Sequence, residues 1–494
     1  MAQLPEEMLK FILEAGTHAV PGPRLGQLVA CGRNSISTPH YAPPSSRGVI
    51  PHLSPDLLER HTQISAVYVG LEDFTEKSTQ NAPILESPTS GAQTPLTSFT
   101  ALSQRCLSIL GPRRVPRIRC RSQNTDNSVA ISTSVGFRTL TLEDYLDATE
   151  RLKADVVVTL ADIADADKVS LKRMERMADR THAWLRDTIE KQESRATPSG
   201  IVASVLPLNQ EQQQLYLSDL AAEYKNELSG VCLYDPPSAQ IVPTQLSHLP
   251  RFCISDPANP HELLRAVSHG VDLITTPFVT AITEQGVAFV FEFPAPPGDE
   301  QQQSMGMDLW SSSNATVVEP LRMGCKCYTC TRHHRAYLHH LLQAKEMLAW
   351  TLLQIHNFQV MDQFFLGIRA SIQRGTFDAE VATFRNHYEE DFGVGQGKDK
   401  GPRMRGYQMK SIGRGQDPKR EKIWGRFGDS NDTSGMESPS AAGVEDDQAR
   451  KVLEAVESGV AADQETEQVS LSADELERMG LAERVDGSSK ESSS

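Results

Sequence analysis

The sequence predicts an α/β fold built around a parallel barrel, and two observations carry this prediction. Apolar runs typical of strands alternate with amphipathic segments typical of helices between residues 140 and 293. Several of these runs are apolar or β-branched throughout, as in parallel strands that are covered on both faces. At 494 residues the chain is longer than a typical single domain, but α/β barrels often keep a few hundred residues around one core. We therefore expect one large barrel domain with appendages.

The first part of the chain holds short apolar runs that are broken by turn signals. Gly26–Ala30 and Ile64–Val69 are predicted strands. Residues 77–100 are rich in Ser, Thr, Pro and Gln and lack helical or strand periodicity. This composition predicts a flexible insertion at the surface.

Residues 140–191 form the clearest α/β unit. Thr141 is suited to cap a helix that reaches Leu152, because its hydroxyl can accept a hydrogen bond from the first helical turn. Val156–Leu160 then has the composition of a buried strand. In barrel folds, acids at strand ends lie where ligands bind, and this strand leads into Asp162, Asp165 and Asp167. A helix from Ser170 has one apolar face formed by Leu171, Met174, Ala178, Thr181, Trp184 and Leu185.

Strands and helices continue to alternate up to residue 293. The predicted strands are Gly200–Val205, Gly230–Tyr234, Arg251–Ile254, Val271–Ile274 and Val287–Phe293. The predicted helices are Gln210–Asn226 and Pro260–His269. Repeated βα units of this kind predict a parallel barrel.

The pattern changes after the barrel region. Residues 294–316 are rich in Gln, Ser and Pro, which predicts a second flexible insertion, whereas Arg335–Gln373 is strongly helical. We expect a barrel domain over residues 1–392 that includes a zinc-binding helical subdomain over residues 317–375. The predicted disordered tail, residues 393–494, is first basic and glycine-rich and then acidic and serine-rich.

Charge and hydropathy limit the possible partners and locations. The formal net charge of -15 disfavours binding of a polyanion by the whole surface, so any RNA contact must use a local patch or a partner. No run approaches the roughly 18 consecutive apolar residues that span a bilayer, and the first 20 residues contain acids in place of a basic leader. We expect a cytoplasmic protein without a transmembrane segment, with peripheral attachment to the mitochondrial outer membrane as the alternative.

Three of the eight cysteines lie within six positions, at Cys325, Cys327 and Cys330, and His356 follows after 25 intervening residues. Three thiolates and one imidazole form the set that a closed, tetrahedral structural zinc site uses. Such a shell leaves no position for water, so the predicted Zn²⁺ would stabilise structure and not catalyse hydrolysis. The alternative is a group of unmetallated thiols with His356 on a helix face.

The choice of the histidine remains open, because other histidines lie near the cysteines in the sequence. These are His333, His334, His339 and His340. Their alternative role is a solvated, basic helix start that also contains Arg332 and Arg335. Within the predicted folded region, this start is the best candidate for contact with RNA phosphate.

Several segments together resemble the tRNA-guanine transglycosylase family. The zinc-binding signature of that family is similar to Met323–Cys330, Arg335–Leu342 and Leu353–Phe358, and its late barrel region is similar to Pro250–Phe252, Glu262–Leu264 and Gly270–Leu273. The resemblance spans most of residues 25–392. It implies an irregular (β/α)8 barrel of the TIM type that carries a zinc subdomain, with one structural Zn²⁺ per subunit.

The resemblance also implies a reaction and shows where this chain departs from it. Active members replace guanine with queuine at the wobble position of tRNAs with GUN anticodons, through a nucleophilic Asp three residues after a Gly-Val-Asp turn. Here that position is Thr275, and a hydroxyl does not ionise near neutral pH. The Gly-Ile-Val-Gln-Gly-Gly stretch of active members continues here as Ala203-Ser204-Val205, and Gly230–Pro236 lacks the expected glycine-rich turn. We therefore predict no catalytic residue, and expect Asp162 to cap the helix that follows it.

Family members that lack the nucleophile pair with a catalytic subunit, and this is the predicted role: a non-catalytic partner in a heterodimer that helps to hold tRNA. One alternative is a self-sufficient transglycosylase that uses Asp272 or Asp162 as its acid. The other is a zinc-stabilised binding scaffold unrelated to queuine. By resemblance, the interface with the catalytic subunit is expected on the zinc subdomain. Its candidate anchors are Tyr337, Trp350, Phe358 and Phe365, although core packing is the more typical role for most of them.

Overall fold

A computed structural model describes the chain over most of its first 393 residues. The described ranges are 9–14, 22–75, 81–88, 93–120, 124–133, 136–164, 169–193, 199–296 and 302–393. The predicted disordered tail lies outside these ranges from residue 394 onward, as do Asp165 and Asp167.

The secondary structure alternates between short strands and helices. The strands are β1 (Leu9–Leu13), β2 (Gly26–Ala30), β3 (Ile36–Thr38), β4 (His40–Ala42), β5 (Ala66–Gly70), β6 (Leu107–Gly111), β7 (Ser128–Thr133), β8 (Gly136–Thr141), β9 (Val156–Val158), β10 (Gly200–Val205), β11 (Gly230–Leu233), β12 (Arg251–Cys253), β13 (Leu273–Thr275), β14 (Val287–Phe289) and β15 (Gly306–Asp308). The helices are α1 (Pro55–His61), α2 (Pro95–Thr100), α3 (Leu142–Leu152), α4 (Leu171–Glu193), α5 (Gln214–Ala222), α6 (Pro260–Ser268), α7 (Pro277–Glu284), α8 (Tyr328–Arg332), α9 (Arg335–Gln343), α10 (Met347–Arg374) and α11 (Phe377–His387).

Eight parallel strands form the barrel, in the order β4-β13-β12-β11-β10-β9-β6-β5. The two end strands meet beside Pro44, where the Ser45 N–H donates to the Tyr68 carbonyl at 2.8 Å and the Tyr68 N–H donates to the Pro43 carbonyl at 3.1 Å. These bonds bring the sheet close to closure. The prediction of a parallel α/β barrel is therefore confirmed.

A three-stranded antiparallel sheet, β1-β2-β3, covers the end of the barrel at which the strands begin. The Asn34 N–H donates to the Arg105 carbonyl at 3.0 Å, two residues before β6 starts. Apolar side chains of this sheet, such as Leu28 and Ile36, pack with inward-facing barrel residues such as Phe252. Loops and a cavity lie at the opposite end of the barrel, where the strands finish.

The clearest predicted unit is confirmed at the level of single residues. The Thr141 hydroxyl accepts from the Asp144 N–H at 3.1 Å, and α3 ends at Leu152. β9 begins at Val156 and is buried throughout, as its uninterrupted run of valines predicts. The apolar face predicted for α4 is wrong at its first member, because Leu171 is 70% exposed.

One predicted strand does not belong to the barrel. Val287–Phe293 was expected to continue the βα alternation, but β14 covers only its first three residues and pairs antiparallel with β15. Its apolar side chains are buried by neighbouring helices, as the ring contact at 5.9 Å between Phe289 and Phe278 of α7 illustrates. The eighth barrel strand is instead β4, a three-residue strand between prolines that carries too short a pattern to detect.

The two predicted insertions are more structured than their composition suggests. In residues 77–100, Pro83–Glu86 forms a short 3₁₀ helix and α2 follows, with Ile84 and Leu96 fully buried. In residues 294–316, β15 forms between the buried Met305 and Leu309. The prediction of surface loops is wrong in these parts, because elements of three to six residues are too short to show periodicity.

Helices α7 to α11 pack beside the barrel and form a module around α10. The long helix predicted over residues 335–373 is divided, because the chain turns between α9 and α10 at Lys345, where φ is +59°. α10 then runs for 28 residues and packs against α7, α8 and β14. The buried face of α10 therefore contacts both the metal-binding region and the barrel.

Candidate functional site

The four predicted metal ligands come from a tight loop and from the middle of α10. Gly324, at a φ of +77°, allows the turn into the first cysteine. Cys327 caps α8, because its sulfur accepts from the Cys330 N–H at 3.3 Å. α10 crosses this loop and places His356 against the three sulfurs, and the side chain is completely buried.

The geometry of these four side chains suits one tetrahedral ion. The His356 Nδ1 atom lies 3.8, 3.6 and 3.3 Å from the sulfurs of Cys325, Cys327 and Cys330. All four ligand atoms lie within 4.8 Å of one another. A tetrahedral zinc bound by sulfur and nitrogen would separate these atoms by about 3.6 Å. The group can therefore hold a metal ion.

A second hydrogen bond fixes the orientation of the imidazole. The His356 Nε2 atom lies 2.9 Å from the Phe289 carbonyl oxygen, which can accept only from a protonated nitrogen. The proton therefore resides on Nε2, and the lone pair of Nδ1 faces the sulfurs, as in metal-bound histidines with a carbonyl partner. Hydrogen bonds among the three cysteines lower the pKa of Cys325 and raise that of Cys327, so without an ion these thiols share protons that a bound metal would displace.

The other histidines of this region have different contacts. His334 caps α9, with Nδ1 accepting from the Tyr337 N–H at 3.2 Å, and His339 Nδ1 donates to the Leu309 carbonyl at 2.8 Å. The His333 ring stacks on Tyr337 at 5.1 Å. Across the described part of the chain, the four predicted ligands form the single cluster of three or more His, Cys, Asp or Glu side chains that suits a metal.

Thr275 ends β13 at the mouth of the barrel, and its hydroxyl is engaged by the neighbouring strand end. Thr275 Oγ1 donates to the Ser255 carbonyl at 2.6 Å and accepts from the Ser255 N–H at 3.1 Å. The side chain is only 3% exposed. Both hydrogen-bonding roles of the hydroxyl therefore hold β12 and β13 together.

Asp272 lies at the opposite end of the same strand, just before β13 begins. It is completely buried and forms a two-pronged ion pair with Arg24, in which Arg24 Nε donates to Oδ1 at 2.9 Å. The Arg251 N–H donates to Oδ2 at 2.6 Å. Asp272 thus ties the start of the barrel to the N-terminal segment, far from the end at which barrel ligands bind.

Asp162 follows β9 on the side of the mouth, but ion pairs enclose it. Arg173 Nη2 donates to Oδ1 at 2.6 Å, Arg180 Nη1 donates to Oδ2 at 3.0 Å, and Asn124 Nδ2 donates to Oδ1 at 2.7 Å. Although burial opposes ionisation, these donors lower the pKa of Asp162. The predicted helix-capping role is wrong, because the carboxylate binds arginine side chains within α4 and not the free N–H groups at its start.

A cavity of about 280 Å³ opens at the mouth, among loops that follow β6, β9, β10, β11 and β12. Its wall includes one carboxylate that the sequence interpretation missed, Asp256, which comes three residues after β12 ends. Partial burial and the nearby Glu262 raise the pKa of this carboxyl. The signal in the sequence was its place after a strand, where acids of barrel proteins often face a ligand.

The proposed interface anchors differ in accessibility. Trp350, Phe358 and Phe365 are at most 4% exposed and pack in the core, whereas Tyr337 is partly exposed. The module also exposes large apolar side chains that the sequence interpretation did not select: Val318, Met323, Met347 and Leu348. The last two begin α10, at 57% and 44% exposure.

Fold and site together define a class: a parallel (β/α)8 barrel with a helical module that carries a Cys3His metal-binding group. A family described as queuine tRNA-ribosyltransferase (TGT) matches residues 21–390. That match covers three quarters of the chain and includes both the barrel and the four ligands. The chain belongs to the queuine tRNA-ribosyltransferase family.

Similar proteins share one description. A Schizosaccharomyces pombe protein named queuine tRNA-ribosyltransferase accessory subunit 2 is 34% identical over 381 residues, which cover 76% of this chain and 83% of the relative. Proteins of the same name from Anopheles gambiae and Xenopus tropicalis are 28% and 27% identical and cover 77% and 74% of this chain, and 90% and 97% of their own length.

In the part of the chain that the structure describes, no helix is both long enough and apolar enough to cross a bilayer.

Proposed function

We propose that this protein is a non-catalytic accessory subunit of a queuine tRNA-ribosyltransferase. It would form a heterodimer with a catalytic subunit and support the exchange of guanine for queuine at the wobble position of tRNAs with GUN anticodons. The proposal rests on Thr275, which stands at the position of the family nucleophile. Its hydroxyl donates to the Ser255 carbonyl and accepts from the Ser255 N–H. The names of the similar proteins support the same role.

A self-sufficient transglycosylase is the second candidate, and the acids first considered for it are unsuitable. Asp272 lies at the wrong end of the barrel, and Asp162 is enclosed by two arginines. Asp256 is the carboxylate on the cavity wall, so it is the residue to test. If Asp256→Asn abolishes base exchange by the purified chain, the second candidate replaces the first.

We propose Zn²⁺ as the resident metal, one per subunit, with a structural role. Cys325, Cys327, Cys330 and His356 would hold it, and three sulfurs with one nitrogen match the preference of zinc. The bound ion would supply a cross-link between the loop before α8 and the centre of α10. The main-chain carbonyl of Phe289, on β14, orients His356 for this link.

The catalytic subunit is proposed to dock on the module, at the exposed start of α10. Met347 and Leu348 offer an apolar surface there, and Tyr337 on α9 is partly exposed. Burial of such apolar side chains at an interface removes them from water and so favours association. In this arrangement the four metal ligands would stabilise the helices that present the interface.

The docking proposal is tested with purified chain and a catalytic subunit from the same source. Leu348→Glu should abolish co-elution, because it places a charge in an apolar interface. Leu215→Glu is a matched control, since Leu215 is 67% exposed on α5 of the barrel and not on the module. Equal co-elution of both variants with the catalytic subunit would show that the interface lies elsewhere.

We also propose a cytoplasmic location, with peripheral attachment to the mitochondrial outer membrane as the alternative. Fractionation of cells that express the full chain would separate the two. Recovery in the soluble fraction supports the first, and recovery with mitochondria, released by salt, supports the second.

A further inference from the structure

Within the described residues, β14 pairs with one strand, β15, and helix α10 covers its other edge. The Gly286 carbonyl and the Val290 N–H are hydrogen-bonded on the β15 side. Backbone groups alternate between the two edges along an antiparallel strand, so those of Val287 and Phe289 point away from β15. Both residues are completely buried, where an unpaired backbone group would be destabilising.

Asn357 on α10 bonds to this edge as a neighbouring strand would. Its Oδ1 atom accepts from the Phe289 N–H at 2.8 Å, and its Nδ2 atom donates to the Val287 carbonyl at 3.1 Å. These partners fix which atom is oxygen and which is nitrogen, because an N–H can only donate and a carbonyl can only accept. Nδ2 also donates to Thr283 Oγ1 on α7 at 2.9 Å. The completely buried amide therefore joins α10 to both β14 and α7.

The strand edge that Asn357 holds also carries the acceptor for the predicted metal ligand. The Phe289 carbonyl lies on the same edge as the Phe289 N–H and accepts from His356 Nε2 at 2.9 Å. Two consecutive residues of α10 therefore bond to one residue of β14, His356 to its carbonyl and Asn357 to its N–H. Because the carbonyl sets the plane of the imidazole, the direction of Nδ1 toward the sulfurs depends on the position of this strand.

The cysteine side of the metal-binding group has a separate support. The hydroxyl of Thr329, in α8, donates to the Leu352 carbonyl at 2.6 Å, and Thr329 is completely buried. Leu352 lies one helical turn before His356, so this bond ties the cysteine loop to α10 without using β14. Loss of the Asn357 amide should therefore disturb the imidazole and leave the sulfurs in place.

We propose that Asn357 is a positioning residue of the metal site, which holds the Phe289 carbonyl where it orients His356. Its own amide bonds to β14 and α7 and not to a ligand. Hydrogen-bonded partners of metal-binding histidines fix the ring, and their loss typically lowers metal affinity by about 10–100-fold. The inference rests on the proposed metal and goes beyond it, because it assigns a role to a side chain outside the four ligands.

The test is the dissociation constant for Zn²⁺ of the full chain at neutral pH, measured by competition with a chromogenic chelator. Asn357→Leu keeps a branched side chain but removes all three hydrogen bonds, so it should bind zinc about 10–100-fold more weakly. With Co²⁺ in place of Zn²⁺, the visible absorption bands report the geometry of the ligands. These bands should shift in Asn357→Leu, because the imidazole is no longer held.

Gln354→Leu is the matched control on the same helix. Gln354 is also a completely buried amide, and its Nε2 atom donates to Thr280 Oγ1 on α7 at 2.9 Å. It joins the same two helices as Asn357, but within the described residues it does not bond to β14. This variant should lower the thermal midpoint and yet bind zinc within about threefold of the unaltered chain.

A milder pair of variants applies if Asn357→Leu does not fold. The carboxylate of Asn357→Asp can still accept from the Phe289 N–H but no longer donates to the Val287 carbonyl. It should therefore bind zinc several-fold more weakly than the unaltered chain. Gln354→Glu adds the same charge to the same helix and should not weaken zinc binding.

Unchanged zinc affinity in the Asn357 variants would overturn the proposal. Equal weakening in the Gln354 variants would also overturn it, because the effect would then be a general loosening of α10. Failure of the metal assignment itself gives a different result, since the unaltered chain would then bind no zinc and Cys327→Ser would change nothing. In that case the positioning role fails together with the metal.

Discussion

Asp362 links the metal-bearing helix α10 to the barrel, and its substitution gives a quantitative test of that link. The Tyr41 hydroxyl on β4 donates to Asp362 Oδ1 at 2.7 Å. Further along α10, Arg369 Nη1 donates to the Pro39 carbonyl, just before β4, at 2.8 Å. Burial raises the pKa of Asp362 to about 7, although the Tyr41 bond and Arg369 favour the ionised form. Near neutral pH the carboxyl therefore changes between protonated and ionised states inside the interface.

The sign of the pH effect follows from the direction of this shift. The folded chain holds the Asp362 proton up to about pH 7, whereas the unfolded chain releases it near pH 4. Stability from this group is therefore fully present below the unfolded pKa and is lost as pH rises through the folded pKa. At about 1.4 kcal/mol for each unit, the loss between pH 5.5 and pH 8 amounts to about 2 kcal/mol.

Asp362→Asn should remove this pH dependence, because the amide is neutral at every pH and can still accept from Tyr41. The measurement is the free energy of unfolding in urea at pH 5.5 and pH 8, for the unaltered chain and the variant. The difference between the two proteins should change by about 2 kcal/mol across that interval. Asp147→Asn is the control, since Asp147 is exposed in an ion pair with Arg151. An unchanged difference for Asp362→Asn would refute a partly buried carboxyl that stays protonated near neutral pH.

Three further predictions concern the metal group and the barrel mouth. Cys327→Ser should lose bound metal and lower the thermal midpoint, measured by metal analysis and calorimetry, while Cys31→Ser, at an exposed cysteine, should change neither; retention of metal by Cys327→Ser would contradict the assignment. Asp162→Asn should reduce the free energy of unfolding by about 3–5 kcal/mol, because it leaves two arginines beside a buried neutral amide; a change below 1 kcal/mol would contradict its structural role. Thr275→Val should cost about 1–3 kcal/mol through the unpaired Ser255 backbone groups and should not alter tRNA base exchange by the complex; loss of exchange in a stable complex would show that the hydroxyl takes part.

Local signals in the sequence predicted much of the fold. The Thr141 cap and the valine run of β9 each depend on residues within one turn or one strand, so they could be located closely. β4 could not, because these three residues between prolines become a barrel strand only when β13 pairs with them and the Tyr68 backbone bonds to Pro43 and Ser45 just after them. Val287–Phe293 looked like a barrel strand for the opposite reason, since its burial comes from distant helices.

The metal group was more predictable than the barrel mouth. Three cysteines in six positions can converge whatever the rest of the fold does, and the structure adds His356 from α10 at 3.3–3.8 Å. Asp272 and Asp162 looked equally available in the sequence. Their difference depends on the end of the strand at which each lies and on arginines distant in sequence, which no local pattern reveals.

The most direct test of the accessory role is exchange of labelled guanine on a GUN-anticodon tRNA by the purified chain, alone and mixed with a catalytic subunit from the same source. A non-catalytic subunit predicts no exchange by this chain alone, and exchange in the mixture at a rate above that of the catalytic subunit alone. Exchange by this chain alone would contradict the central claim, and would mean that another carboxylate, with Asp256 the first to examine, replaces the missing nucleophile.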